Sequence, residues 1–321
     1  MKGKLVMTVA DMADHDKWLE ARTSGIGGSE AAIIVGMNRW KSPFQLWLEK
    51  TGEVEPDDLS DNEYVYWGNV LEQAVADRFA ELTGKRVTKR GMLQDEEVPY
   101  FFANVDRVVV GENAGLECKT TNAFNKDEWE GDNIPDAYYC QCQWYMGVTG
   151  AEKWYIACLI GGNKFVWKEV ARNDEDIEAL REEAKAFWET NVQGGVMPEA
   201  DGSKNCAESL AKRFKGGDKE VLDLEKAEGA ADLAAQILDI KATVKTLEKQ
   251  QAEAENKLKA LMGDHENAAA GKYVLNWTTV NTSGRFDRKK FDADYPGLYA
   301  KYMGAPGKTR RFSVKELKEA K

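Results

Sequence analysis

Between Phe102 and Thr120 the chain alternates apolar and polar residues on either side of a glycine-bounded turn, a pattern that commits this stretch to a β-hairpin. Phe102-Ala103-Asn104-Val105-Asp106-Arg107-Val108-Val109-Val110 leads into Gly111-Glu112-Asn113-Ala114-Gly115, and Leu116-Glu117-Cys118-Lys119-Thr120 returns. Side chains alternate faces along a strand, so Glu117 and Lys119 project from the same side. A turn centred near Glu112 and Asn113 sets Asp106 roughly opposite Lys119 and on that face as well.

Two carboxylates and a lysine on one face suit metal-assisted phosphodiester hydrolysis. Hard oxygen ligands match Mg²⁺, which is held by one or two carboxylates plus substrate oxygens. The ion lowers the pKa of a bound water, and Lys119 would orient that water or offset charge on the phosphate. The hairpin alone equally fits a solvated strand face, where Asp, Glu and Lys are the usual residues.

Composition narrows the chemistry. With only two histidines among 321 residues, His15 and His265, mechanisms that need a positioned imidazole are poorly supported. The five cysteines form neither a CxxC pair nor an even disulfide framework, which fits a reducing compartment. No apolar run is long enough to span a bilayer and the N-terminal stretch lacks a signal-peptide core, so a cytoplasmic location without membrane partners is expected. The net charge of −11 is unevenly spread: from Ala269 onward twelve Lys and Arg face five Asp and Glu. A second basic cluster lies at Lys85, Arg86, Lys89 and Arg90. Fields are local, and an acidic total does not exclude a basic groove for nucleic acid.

Along the chain, Asp16 to Arg22 reads as a helix, followed by the glycine-rich turn Ser24 to Gly28. Ser29 stands where an N-cap belongs, ahead of Glu30 to Val35. Arg22, the Ser29 hydroxyl and free N–H groups there form a candidate anion site, with a plain capped helix as the alternative. Ser42-Pro43 opens a helix through Lys50. The acidic segment Glu53 to Asp61 reads as a loop, and Tyr66 to Leu82 has helical periodicity. Glu72 on that helix is either exposed or turned into the sheet to join the metal cluster.

Asp136 to Met146 reads as a helix whose Gln141 and Tyr145, four apart, share a face. Lys153–Leu159 and Lys164–Val170 form a second strand pair, and Asn173 to Val192 a capped amphipathic helix. The fold class is therefore α/β (α+β), a mixed central sheet flanked by helices. A linker is expected around Gly194 to Gly217. Beyond it Leu233, Ile237, Ile240, Val244, Leu247, Gln251, Ala254, Leu258 and Leu261 recur at spacings of four and three, about four heptads. Self-association and packing of this helix on its own domain both fit. Lys272 to Val280 reads as a strand, Arg285 to Tyr302 as a turn and helix, and Lys308 to Lys321 as a basic tail.

Six segments agree in order and spacing with one family. They are Arg22-Thr23-Ser24-Gly25-Ile26-Gly27-Gly28-Ser29-Glu30, Lys41-Ser42-Pro43 through Lys50-Thr51-Gly52, Gly68-Asn69-Val70-Leu71-Glu72, Asn104-Val105-Asp106, Leu116-Glu117-Cys118-Lys119 and Gln141-Cys142-Gln143-Trp144-Tyr145-Met146. From about Trp18 to Pro198 the chain resembles the YqaJ-type phage recombinase nucleases, relatives of bacteriophage lambda exonuclease in the PD-(D/E)xK superfamily. The resemblance implies a restriction-endonuclease-like nuclease domain at 1–198, a linker at 199–226 and a C-terminal domain at 227–321 with the long heptad helix and a small α/β tail.

It also implies roles. Asp106, Glu117 and the Cys118 carbonyl would ligate Mg²⁺, with Mn²⁺ as the alternative and two ions per site once DNA is bound. Glu72 would support the metal site, and Lys119 would handle the attacking water. Gln141 and Tyr145 match a Gln-x-x-x-Tyr motif, and Tyr138 would line the site. Arg22, Ser29 and Asn104 would hold a 5′-phosphate. The implied activity is processive, ATP-independent 5′ to 3′ digestion of double-stranded DNA from an end, releasing mononucleotides and leaving 3′ overhangs. The implied partners are DNA ends, a single-strand annealing protein and two further copies in a ring-shaped homotrimer, in the host cytoplasm and encoded by a phage or prophage.

The heptad helix and basic tail depart from the lambda enzyme; the expectation is that the basic end contacts DNA while the helix braces the oligomer or receives the annealing partner. A structure-specific endonuclease and a non-catalytic DNA-end-binding scaffold are the competing functions. An iron–sulfur relative is disfavoured, because the cysteines are not placed to hold a cluster.

Overall fold

Side-chain caps set most of the helix starts in the computed structural model, which describes residues 1–305, 307 and 310–315. The chain divides into two units, Met1–Phe214 and Lys215–Lys321. In the first, β1 (Lys4–Met7) precedes α1 (His15–Thr23), which begins at the Asp14 carboxylate. α2 (Gly28–Ile34) follows the glycine turn, and α3 (Pro43–Lys50) starts where Ser42 Oγ accepts from Gln45 N at 3.2 Å. Asn62 caps the long α4 (Glu63–Thr83), and Gly84 ends it in the left-handed conformation that a Cβ would strain.

Short strands come next: β2 (Val87–Thr88), β3 (Met92–Gln94), β4 (Phe102–Ala103), β5 (Arg107–Val109) and the longer β6 (Ala114–Thr121). After α5 (Asp136–Thr149) come β7 (Lys153–Ile160) and β8 (Lys164–Ala171), then α6 (Asp174–Ala186), which runs into a π-helical turn at Phe187–Gln193, and α7 (Lys204–Arg213). β1, β3 and β4 make a small antiparallel sheet. The central sheet has the order β2-β5-β6-β7-β8, antiparallel except for the parallel pair β6–β7. It is the mixed, helix-flanked sheet that the residue pattern predicts.

Both faces of this sheet are covered. Val75, Ala76 and Phe79 of α4 pack on Ala114, Leu116, Tyr155 and Ala157. The opposite face, with Trp154, Ile156 and Cys158, packs under α5 and α6. Alternation therefore sends the even residues of β6 toward α4 and the odd ones, Glu117 and Lys119 among them, toward α5.

Three expectations change. The predicted first arm of the hairpin breaks: Phe102–Ala103 belongs to the small sheet, and Asn104–Asp106 lie outside any strand. Arg107 pairs with Leu116 and Val108 with Gly115, so Asp106 falls opposite Glu117 rather than Lys119. A slip of two residues preserves the face, and the three side chains still converge. The third change is the domain boundary, which lies after Phe214 rather than at 198. Residues 204–213, read as linker, form α7 with Cys206 buried; the spacing of Cys206, Leu210 and Phe214 after a capping Ser203 was the overlooked signal. Asn205 Oδ1 accepts from Ser42 N and Oγ at 2.8 and 2.9 Å, and its amide reaches Gln45, pinning α7 to the start of α3.

In the second unit α8 (Ala230–Met262) confirms the long heptad helix. The strand expected at 272–280 is present over its first half as β10 (Tyr273–Asn276), paired with β9 (Asn267–Ala270), and 285–302 carries two short helices, α9 (Arg288–Asp294) and α10 (Leu298–Lys301). Of the basic tail expected from Lys308, residues 308, 309 and 316–321 lie outside the described residues. Among the described residues no helix is long and apolar enough to cross a membrane.

If α7 belongs to the first unit, Asn205→Ala leaves Ser42 N, the Ser42 hydroxyl proton and Gln45 Oε1 without the partners they have here and lowers stability by about 1–3 kcal/mol. Urea unfolding followed by tryptophan fluorescence measures it. A midpoint no lower than that of Lys204→Ala, a change at an exposed neighbour, would refute the assignment.

Candidate active site

Glu117 enters the interior because β6 is a central strand covered on both faces, and its burial is nearly complete. Its Oε1 accepts from Lys119 Nζ at 2.5 Å and from Gln141 Nε2 at 2.7 Å. Lys119 Nζ also donates to Gln141 Oε1 at 3.0 Å and stands 4.8 Å from the centre of the Tyr138 ring. Gln141 Nε2 further donates to Tyr145 Oη at 2.8 Å, and that hydroxyl donates to the Asn104 carbonyl at 2.8 Å. Tyr138, Gln141 and Tyr145 sit three and four residues apart, so one face of α5 supplies all three. Asp106 Oδ2 accepts from Cys118 N at 2.7 Å, just past the end of the β5 ladder.

The electrostatics are those of a site that wants a cation. Burial first and the Glu117 charge second push Asp106 well above the usual carboxylate range. Burial raises Glu117 as well, with Lys119 pulling the other way. For Lys119, burial favours the neutral amine, but the Glu117 and Asp106 charges outweigh it and hold the pKa above an ordinary lysine's. Lys119 is therefore an ammonium donor at neutral pH, not a base.

Glu117 Oε2 is buried without a hydrogen-bond partner, and so is Asn104 Oδ1. An orphaned carboxylate oxygen beside a second carboxylate fits a hard divalent cation. Cys118 N points at Asp106, and within a strand a residue's N–H and C=O share an edge, so its carbonyl lies on the same side. Burial keeps the Cys118 thiol protonated, which argues against thiolate ligation. Asp106, Glu117 and the Cys118 carbonyl are thus a donor set suited to Mg²⁺ or Mn²⁺.

Glu72, which the resemblance places beside the metal site, stands on α4 and is held by Arg107 Nη1 at 2.5 Å. Among the described residues no three His, Cys, Asp or Glu side chains gather to hold an ion. The Glu72 charge is still felt, raising both Asp106 and Glu117. Arg107, which sequence reasoning passed over, is buried and also donates to Gln73 and to the Asp106 carbonyl. An arginine flanked by Asp106 and Val108 in a strand carried no separate signal.

The glycine turn forms a second corner. Ser29 is not the N-cap: Gly27 is, and the Glu30 carboxylate accepts from Gly27 N at 2.9 Å. Arg22 Nη2 donates to Glu30 Oε1 at 3.1 Å and to Ser29 Oγ at 3.4 Å. Lys50, its side chain buried like that of Glu30, donates to the carbonyls of Arg22 and Gly25 at 2.5 and 2.6 Å and to Glu30 at 3.0 Å. Burial would raise the Glu30 pKa, but Lys50 and Arg22 reverse this and keep it ionised. Glu30 and Lys50 were not singled out from sequence; the acidic third helical position was a capping signal for the first, and nothing local marked the second.

The two corners are joined. A Cβ on Gly28 would come within 2.6 Å of the Tyr145 ring, so only glycine lets α2 lie against α5 at this point. Ile26 N donates to the Tyr100 carbonyl at 2.7 Å and Phe102 N to the Ile26 carbonyl at 2.8 Å, strapping the turn to the segment that ends in Asn104.

A carboxyl whose native pKa exceeds its unfolded value binds its proton more tightly when folded, so stability falls as pH rises through the native value. Asp106→Asn removes that cost. Without divalent cations at neutral pH the variant should be more stable by about 1–2 kcal/mol, the gain shrinking as pH falls below the native pKa of Asp106. Mg²⁺ should raise the melting temperature of the wild type and not of the variant. A variant less stable than the wild type at neutral pH would contradict this account of the site.

Comparison with known sequences finds one family. Residues 17–152 match the YqaJ-like viral recombinase domain. The uncharacterized protein YqaJ of Bacillus subtilis (strain 168) is 44% identical over 307 residues, covering 94% of this chain and 95% of the relative. Among solved structures, an alkaline exonuclease from Laribacter hongkongensis aligns with a TM-score of 0.47 at 19% identity, over 56% of this chain and 93% of that one. A phage-related exonuclease from Haemophilus somnus 129PT aligns at 0.43 and 15%, over 53% and 94%. Neither structural likeness is close enough to assign an activity.

Proposed function

We propose, from the premise that this chain belongs to the YqaJ-like viral recombinase domain family, that it is a metal-dependent exonuclease that degrades double-stranded DNA 5′ to 3′ from an end. The observation that carries the reading is the buried meeting of Asp106, Glu117 and Lys119 with Glu117 Oε2 left unpaired. Among the described residues the site needs no imidazole and uses none.

Asp106, Glu117 and the Cys118 carbonyl would hold Mg²⁺ or Mn²⁺, which when bound supplies an activated water and balances charge on the phosphate. Lys119, fixed by Glu117 and Gln141, points its ammonium toward the same place and stabilises negative charge as it develops. Gln141 and Tyr145 hold Glu117 and the Asn104 backbone in register, so neither has to reorganise during reaction. Tyr138 covers Lys119 and limits water.

Arg22 and Ser29 would receive the terminal 5′-phosphate, with the unpaired Asn104 Oδ1 at the end of the segment strapped against their turn. A carboxylate so near Arg22 would cancel its charge were Glu30 not already neutralised by Lys50. The three together carry one net positive charge, suited to an anion. The 3′ overhang left behind is the substrate a single-strand annealing protein takes, which accords with a recombinase family.

Purified protein with Mg²⁺ should release mononucleotides from linear duplex bearing a 5′-phosphate, more slowly from 5′-hydroxyl ends, and leave a closed circle intact. Nicking of the circle would replace this reading with an endonuclease, and no cleavage of any duplex with a scaffold. Lys119→Met should lower the rate by about 10³-fold while end binding persists. Arg22→Gln should reduce the preference for phosphorylated ends roughly tenfold; an unaltered preference would remove the phosphate pocket from the proposal.

A further inference from the structure

The second unit carries a surface that the proposed chemistry does not use. Between Arg285 and Phe312 eight Lys and Arg stand against three Asp, in a chain whose net charge is −11, and six aromatic residues are interleaved with them. Four of the six support one another. The Phe286 ring lies 5.1 Å from Phe291 and 6.3 Å from Tyr299, nearly parallel to the latter, and Phe291 lies 5.3 Å from Tyr295. Arg288 pairs with Asp292 at 3.3 Å and caps the Tyr299 ring at 4.1 Å, so one side chain of α9 also holds α10.

This small cluster leaves much of its apolar and charged surface open. Phe286 is 62% exposed, and Tyr302 and Phe312 are 79% exposed each. Among the described residues no ion pair engages Arg285, Lys289, Lys290, Lys301 or Arg311, and all five are exposed. Open rings among open cations suit a partner that is both anionic and flat-faced. A second copy of this surface would meet it with the same excess of cations, and like charges facing each other are costly. A membrane is poorly served too, since Phe291 is the one large apolar residue in α9. Nucleic acid supplies both features, phosphates for the cations and base faces for the rings. Only an unpaired strand offers those faces, because in a duplex each base is already stacked on its neighbours.

We propose that residues 285–312 bind single-stranded DNA, with Tyr302 and Phe312 stacking on bases and Arg285, Lys289, Lys290, Lys301 and Arg311 neutralising phosphates. The strand concerned, and this clause rests on the exonuclease reading, is the 3′ overhang that digestion leaves behind. The enzyme that exposes the strand thereby also holds it. Stacking gives little sequence preference, which suits a strand of any sequence.

Fluorescence anisotropy of the full-length chain on labelled oligothymidylate, in EDTA, tests the proposal. Tyr302→Ala with Phe312→Ala should weaken binding by roughly tenfold or more. Tyr302→Phe with Phe312→Tyr, which keeps both rings, should bind as the wild type does. Lys289→Gln, Lys290→Gln and Lys301→Gln together should lower the slope of log K against log salt by about 2. On a closed circular duplex the alanine pair should change affinity less than about twofold, because no base faces are offered there. An unchanged affinity for oligothymidylate in the alanine pair, an equal loss in the pair that keeps its rings, an unchanged salt slope, or an equal loss on duplex would overturn the proposal. Binding in EDTA is independent of cleavage. A chain that binds through these rings yet releases no mononucleotides with Mg²⁺ would remove the exonuclease reading and keep the binding surface; the reverse result would strike the surface alone.

Discussion

β6 is covered on both faces, and the alternation of side chains along it governs everything that the first unit can do. Its even residues, Ala114 and Leu116, are apolar and seat α4. Its odd residues include Glu117, which is buried, and Lys119, which is half-buried, because α5 closes the other face. Burying a carboxylate is expensive unless its oxygens are paired. α5 answers with Gln141 and Tyr145, and Lys119 with its ammonium, yet one oxygen of Glu117 is left over and Asp106 is forced close by. The resulting demand for positive charge is a product of the packing.

The glycine turn shows the same economy at the neighbouring corner. Lys50 is sunk beneath the turn, spends all three of its donors there and neutralises Glu30. Arg22, one-third exposed and resting 4.9 Å from the centre of the Trp18 ring, keeps its charge available to an anion. Because Gly28 lets α2 lie directly on Tyr145, the residue that holds Gln141 also braces the helix that begins at the anion corner. The spacing between the two corners is therefore set by rigid contacts rather than by loops.

Periodic features were the most legible. The two-residue alternation at 116–120 and the helical spacing in α4, α5 and α8 hold in the structure within a turn of their predicted ends. Their signal is repetition, and it survives the tertiary context because the buried face is the repeating face. The features that went unseen are aperiodic. α7 is ten residues long inside a Gly- and Lys-rich stretch, and Asn205 reveals its anchoring role only once α3 is beside it. Arg107 and Lys50 make contacts across 34 and 20 residues of chain, with Gln73 and with Glu30, and no local pattern encodes a partner that far away.

By itself the sequence determined that Asp106, Glu117 and Lys119 share a face, since parity along a strand follows from backbone geometry and is indifferent to a register slip of two. It likewise determined the heptad seam and the amphipathic helices. Only the tertiary structure decided which groups meet: Asp106 stands opposite Glu117, and Glu72 is held by Arg107. It also decided which oxygen is left without a partner. Those outcomes depend on which helix covers which face, a choice made by the summed burial of Val75, Phe79 and their neighbours, which no local run of residues contains.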